Sequence, residues 1–260
     1  MTYCLAISTV NGLVFCSDSR THAGPDMLSS HSKMHVFNPA SDRVFILLAA
    51  GNLATTQAIV NRITQDLDEP DKLSLSTCEK MVEAVQYVAQ VCRHEVDQAV
   101  TTTADSGIDA TVTFIFGGQI RDTTPAIYQL YSAGNFISES DQTPYLQIGE
   151  SKYGRPILDR IVKRETTLED AARCAIVSMD STIKSNATVG PPIEVLVYEK
   201  DSFSTDHYIK LEEDDSYLYE IKHSWNEELK KAFSALPRFH WEKRSSANVH
   251  GINDNKFSSE

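Results

Sequence analysis

Strand-period and helix-period stretches alternate in pairs along this chain, and that alternation restricts the fold more than any other feature. Residues 2–9 and 13–18 alternate as strands with Asn11-Gly12 between them. An Asn-Gly loop is a hairpin signal, because a type I′ turn needs positive φ at both central residues. Residues 33–37 and 43–50 make a second strand pair with Asn38-Pro39 in the turn. The run VFILLAAG, residues 44–51, is apolar throughout, which marks a strand covered on both faces. The period then changes. Leu53, Ile59, Ile63 and Leu67 recur at helical spacing, and Glu69-Pro70 ends that helix. Ser76-x-x-Glu79 reads as a capping box, opening a longer helix with Met81, Val85, Val88, Cys92 and Val96 on one stripe. Strands return at 111–116 and 126–132. A third helix carries Ile157, Leu158, Ile161 and Val162. A fourth starts from a Thr166-x-x-Glu169 box and carries Leu168, Ala172, Ala175, Ile176 and Met179. Residues 193–198 and 208–211 are the last strands.

The resulting order, ββββ-αα-ββ-αα-ββ, excludes one doubly wound parallel sheet, since most strand connections are too short for crossovers. It predicts an α+β fold: a four-layer αββα sandwich of two antiparallel sheets flanked by helix pairs. One domain over residues 1–242 is expected, followed by a polar tail at 243–260 rich in Ser and Asn. A hydrophobic content of 41% suffices for a sizeable core. The net charge of -12 argues against a nucleic-acid or anionic-membrane partner, which would favour a basic face.

Cys4, Cys16, Cys78, Cys92 and Cys174 are odd in number and form no CxxC pair, which excludes zinc-ribbon and thioredoxin chemistry. They read as buried free thiols of a reducing compartment. With no secretory leader at its start and no apolar run long enough to span a bilayer, the chain is expected in the cytoplasm. No Walker loop, GxGxxG or GxSxG is present. His31 and His35 flank Lys33 but lack a third ligand nearby, so they read as scattered surface histidines. No metal and no cofactor are expected.

The N-terminus carries the remaining chemistry. Methionine is commonly trimmed before a small residue, and its loss would leave Thr2 with a free α-amine beside its own hydroxyl. An α-amine has a reference pKa of about 7.7–8.0 and can serve as a base near neutral pH, so nucleophile and base would share one residue.

TYCLAI from Thr2, NGLVFCSDSR from Asn11, Lys33-Met34 and LLAAG ending at Gly51 together resemble proteasome-type N-terminal nucleophile hydrolases. The opening MTYCLAI, QIGESKYGRP from Gln147 and VGPPI from Val189 are most similar to the bacterial proteasome-like group Anbu. The resemblance runs from Thr2 to about Tyr198. It implies Thr2 as nucleophile with its amine as base and Lys33 as electrostatic activator. Asp18 would hold the lysine charged, and the Gly51 backbone N–H would donate to an oxyanion. Thr21, His31, His35, Ala49 and Leu53 would line the substrate pocket. Where related subunits carry a supporting Ser, this chain has Glu150, with Ser151 next. The supporting Asp and Ser near the last helix are replaced around Asn186 and Val189. A turn at Asn11-Gly12 would pair Thr2 with Thr21, leaving Asp18 roughly 10 Å back along the strand and on the other face. A bulge or strand end would then have to bring it to the site. The resemblance further implies a homo-oligomer of at least six subunits acting on a peptide or protein, with any unfoldase partner unknown. An assembly protein with lost turnover and a small-amide hydrolase on the same fold are the alternatives.

Overall fold

The computed structural model describes residues 1–22, 28–69, 71–104 and 107–242. In chain order the first strands are β1 (Tyr3–Thr9), β2 (Gly12–Asp18), β3 (Arg20–His22), β4 (Leu28–Ser30), β5 (Met34–Ala40) and β6 (Arg43–Gly51). Helices α1 (Leu53–Leu67) and α2 (Met81–Thr103) follow. Then come β7 (Val112–Ile120), β8 (Ala126–Tyr131), β9 (Phe136–Ser138) and β10 (Tyr145–Gly149). Helices α3 (Arg155–Ile161) and α4 (Leu168–Ser185), strands β11 (Ile193–Glu199) and β12 (Tyr208–Leu211), and helix α5 (Ser216–Ser234) complete the order.

There are two five-stranded antiparallel sheets, β10-β1-β2-β11-β12 and β5-β6-β7-β8-β9, and a separate two-stranded β3-β4 sheet. Three apolar clusters define the layers. Cys4, Ala6, Leu13 and Phe15 of the first sheet meet Val44, Ile46, Leu48 and Ile115 of the second between the sheets. The opposite face of the second sheet packs Phe45, Leu47 and Phe114 against Ile59 and Ile63 of α1 and Val85, Val88 and Cys92 of α2. The outer face of the first sheet packs Leu5, Ile7 and Val195 against Leu158 of α3 and Ala175 and Met179 of α4. The predicted αββα sandwich is therefore the observed fold. The apolar run of β6 lies between two of these layers, buried on both faces as its sequence implies. Each fully buried large side chain there, Phe45 or Leu47 for example, contributes about 1.5–3 kcal/mol of transfer free energy. All five cysteines are buried and free.

By compactness the chain divides into Met1–Ile221 and Lys222–Glu260. In the second unit Leu229, Phe233, Leu236, Phe239 and Trp241 are exposed, and the Phe239 and Trp241 rings stack at 4.3 Å. The predicted tail at 243–260 lies outside the described residues.

Several local expectations are corrected. The β1-β2 turn is Val10-Asn11, because Thr9 pairs with Gly12. Neither Val10 nor Asn11 takes a positive φ; Gly12 does, at 148°. Gly12 is needed as a strand residue: a Cβ there would stand 2.0 Å from the Tyr198 carbonyl on β11. This register is two residues tighter than an Asn11-Gly12 turn would give. Cys4 pairs with Ser17, so Tyr3 falls opposite Asp18. No bulge is required to bring Asp18 to the start of β1. Asn38-Pro39 lies within β5 and not in a turn; the β5-β6 register shifts between Phe37 and Ala40, where Pro39 has no N–H to offer the ladder. The Ser76-Glu79 box does not cap α2, whose N-cap Lys80 lacks a side-chain cap bond. Glu83 instead reaches back to the Glu79 N–H at 2.9 Å. The cap of α4 is Thr167, which accepts from the Asp170 N–H at 3.2 Å, one residue beyond the predicted box. Strands β3, β4, β9 and β10 and helix α5 have no counterpart in the sequence reading.

Candidate active site

The end of β2, the start of β5, the end of β6 and the end of β10 converge where β1 begins. Thr2 is the residue just before β1. Its carbonyl accepts from the Glu150 N–H at 2.8 Å. The next N–H, that of Tyr3, donates to Asp18 Oδ1 at 3.0 Å. The chain around Thr2 is thus gripped from both neighbouring strands. Gly149 permits the close approach: it takes φ 78°, and a Cβ there would stand 1.9 Å from the Thr2 oxygen.

Asp18 is fully buried. Its Oδ1 also accepts from Lys33 Nζ at 2.7 Å. Its Oδ2 accepts from the Gly190 N–H at 3.4 Å. Lys33 is 8% exposed and donates a second bond to the Arg20 carbonyl at 2.8 Å. The pair is therefore interior. Burial pushes the Asp18 carboxyl above the ordinary carboxylate range, opposed first by the Lys33 charge and then by the hydrogen bonds to the carboxylate.

Thr2 and Lys33 share a cavity of about 360 Å³. Thr21, His31, Ala49, Gly51 and Leu53 line it, together with Met1, Arg20, Ser32, Ala50, Thr56 and Gly149. Gly51 ends β6 at φ 116°, and a Cβ on it would stand 2.4 Å from the Thr111 carbonyl, so only glycine fits. The α-amine of Met1 is held below its ordinary value, mainly by burial and next by the Lys33 charge, with Asp18 and Glu150 acting the other way.

Glu150, Asn186 and Ser151 stand at the same end. Glu150 is buried, accepts from Asn186 Nδ2 at 2.9 Å and lies 3.5 Å from Lys152 Nζ. Asn186 Oδ1 is occupied by the Thr188 N–H at 3.0 Å and hydroxyl at 2.6 Å. Ser151 contributes backbone bonds, donating its N–H to the Gly149 carbonyl at 3.0 Å and accepting from Gln147 Nε2 at 3.3 Å.

His35 is the predicted pocket residue that the fold does not place in the cavity. Nor is it a surface histidine. It is half-buried, and burial lowers its imidazole pKa against the opposing charge of Glu194. On β5 it is two residues from Lys33, while His31 lies in the loop before the strand and reaches the cavity. Glu194 itself escaped the sequence reading. A lone carboxylate inside the apolar run Ile193-Glu194-Val195-Leu196-Val197 was the available signal, since charged groups are rarely buried without partners. Arg20 and Ser32 were missed as lining residues for want of any local pattern.

A family model described as the proteasome subunit matches residues 2–198. The chain belongs to the proteasome family. It is 39% identical to Anbu (ancestral beta-subunit) from Yersinia bercovieri, with a TM-score of 0.86 over 92% of this chain and 98% of that one. Anbu from Pseudomonas aeruginosa, solved as a helical assembly, is 41% identical with a TM-score of 0.86 over the same shares. Anbu from Hyphomicrobium sp. strain MC1 is 38% identical with a TM-score of 0.83, over 92% of this chain and 99% of that one. No curated protein sequence matches. The fold and this membership agree with the resemblance carried by the N-terminal motifs. No helix among the described residues is long and apolar enough to cross a membrane.

Proposed function

We propose that this proteasome-family chain is a threonine-type peptidase whose nucleophile is Thr2, unmasked by loss of Met1. The observation that carries the reading is the buried Lys33–Asp18 pair, 2.7 Å apart, beside a cavity lined by Thr2 and Gly51. A buried ion pair carries a large desolvation cost, and such perturbed groups beside a cavity are candidates for functional sites. Thr2 Oγ1 attacks the substrate carbonyl and its proton passes to the freed α-amine. Lys33 stabilises the developing negative charge, and Asp18 keeps the ammonium charged despite desolvation. The Gly51 N–H donates to the tetrahedral oxyanion, a role in which one lost donor costs about 10²–10³ in rate. The C–N bond then breaks, the leaving amine takes the proton from the α-amine, and an ester to Thr2 remains. Water activated by the same amine hydrolyses it. Glu150, held by Asn186 and acting on the charge of the Met1 α-amine, would supply a carboxylate near the Thr2 amine once Met1 is lost.

Self-association belongs to the same proposal. The exposed Leu229, Phe233, Leu236, Phe239 and Trp241 suit a contact with further copies of the chain, which would enclose the site in an assembly of at least six subunits. An assembly protein without turnover is the competing reading, favoured by the loss of the amine's usual supporting residues, a Ser where Glu150 stands and an Asp and a Ser replaced around Asn186 and Val189. Intact mass before and after a peptide epoxyketone separates the two. Loss of the Met1 mass and one covalent adduct on Thr2 are expected. A trimmed, folded protein that takes up no adduct would leave the assembly reading standing.

A further inference from the structure

A second buried carboxylate stands beside the Lys33–Asp18 pair and takes no part in the proposed chemistry. Glu194, on β11, is 4% exposed. It collects hydroxyl donors from three segments that are distant in sequence. Ser19 Oγ donates to its Oε2 at 3.1 Å. Ser32 Oγ lies 2.8 Å from Oε2 and 3.0 Å from Oε1. Tyr208 OH donates to Oε1 at 2.6 Å.

Two of these donors flank the pair. Ser19 sits between Asp18, whose carboxylate accepts from Lys33 Nζ, and Arg20, whose carbonyl accepts the second lysine bond. Ser32 immediately precedes Lys33. One carboxylate therefore holds both the lysine's backbone and the segment presenting its two acceptors. Ser32 Oγ has one proton and two possible acceptors, Glu194 and the Met34 carbonyl at 2.9 Å. A bond to an ionised acceptor is the stronger, so the proton goes to Glu194 and the oxygen accepts from the Met34 N–H at 3.2 Å. The His31 N–H, donating to the Ser19 carbonyl at 2.9 Å, ties the same two segments together.

We infer that Glu194 is a positioning residue for the threonine peptidase: its carboxylate clamps Ser19 to Ser32 and so fixes the Lys33 ammonium between Asp18 and Arg20. The inference rests on the proposed peptidase reading for its effect on rate, and on geometry alone for its effect on Lys33. It differs from general support of the fold. The Ser19–Ser32 clamp requires acceptance at one oxygen, Oε2, which both hydroxyls reach, so glutamine, which keeps one acceptor oxygen and the side-chain length, serves largely in its place.

The experiment compares wild type, Glu194→Ala, Glu194→Gln and Ser32→Ala by epoxyketone inactivation kinetics, thermal melting and crystal structures. Small displacements of catalytic groups cost up to about 100-fold in rate. On that basis Glu194→Ala lowers the maximal inactivation rate by about 10- to 100-fold, with the probe concentration for half-maximal rate changed less than about threefold. Glu194→Gln recovers to within about threefold of wild type. In the alanine variant's crystal structure Lys33 Nζ leaves its position between Asp18 and Arg20. If Glu194→Ala does not fold, Ser32→Ala breaks the clamp on the lysine side and carries the same expectation. Wild-type inactivation by a folded Glu194→Ala, or an undisturbed Lys33 in its crystal structure, overturns the inference. If wild type itself takes no probe, the peptidase reading fails, and the position of Lys33 in the variants still decides whether Glu194 is the clamp.

Discussion

Replacing Lys33 with methionine leaves Asp18 as a fully buried carboxylate without its cation. Removing one partner of a buried pair typically costs about 3–5 kcal/mol, because the remaining charge has neither water nor counter-charge. Asp18 can limit that cost by taking up a proton. An unfolded aspartate titrates near 3.9, so keeping the folded carboxyl neutral at pH 7 costs about 4 kcal/mol, at about 1.4 kcal/mol per pH unit. The two figures agree in size. Their pH dependence gives the sharper test. In the variant the folded pKa of Asp18 is raised further than the burial-driven rise already present in wild type. A group with a raised folded pKa contributes stability that is fully present below the unfolded value and is lost as pH rises through the folded value. The deficit of Lys33→Met relative to wild type therefore shrinks as pH falls from 8 toward 4, by up to about 1.4 kcal/mol per unit. At pH 7 it lowers the melting temperature by roughly 8–16 °C for a chain of this size. The assay is denaturant unfolding of both proteins at equal concentration across that pH range. Adding Asp18→Asn to Lys33→Met removes the buried charge and restores most of the loss. A deficit that is near zero, or equal at pH 5 and pH 8, would refute the claim that the pair is interior and mutually dependent.

Thr2→Ala abolishes epoxyketone labelling without a change in melting temperature; undiminished labelling would place the nucleophile elsewhere. Gly149→Ala puts a Cβ 1.9 Å from the Thr2 carbonyl oxygen at a left-handed φ of 78°. It lowers both melting temperature and labelling rate, and an unchanged labelling rate would mean that this approach is not part of the site. Thr167→Ala removes the acceptor that caps α4 and costs about 0.5–2 kcal/mol in unfolding experiments, with no change in labelling. Phe233→Glu on the exposed stretch of α5 reduces the particle size seen by light scattering; a 29.0 kDa monomer for the unmodified chain would contradict self-association.

The layers of this fold were legible because burial leaves a periodic trace. The stripe Met81, Val85, Val88, Cys92 and Val96 is buried as its spacing requires. So is the core of α4, although its cap stands one residue beyond the predicted box. The β1-β2 register was not legible. Asn11-Gly12 carries the local signal of a type I′ turn, but Gly12 is a strand residue paired with Thr9 and Glu199, and the β11 pairing is tertiary and invisible in the hairpin's own residues. Strand β10 spans only Tyr145–Gly149, too short to show a period, yet it carries Gly149 and leads into Glu150. Thr2 was a candidate from the Met-Thr start alone, whereas Asp18, Lys33 and Gly51 could be named only through the family resemblance of the segments around them. Nothing in their spacing says that a carboxylate and an ammonium will meet at 2.7 Å out of water. His35 went the other way, because a residue two positions along a strand from a site lysine need not share its cavity.

The backbone that holds Thr2 is fastened by the Glu150 N–H on its carbonyl and by Asp18 on the Tyr3 N–H. Neither bond belongs to Met1, which is 63% exposed. Excision of that one residue thus leaves the surrounding scaffold in place. On the proposed reading, unmasking Thr2 is therefore a cut and not a refolding event, and a subunit that assembled untrimmed would carry a finished but silent site.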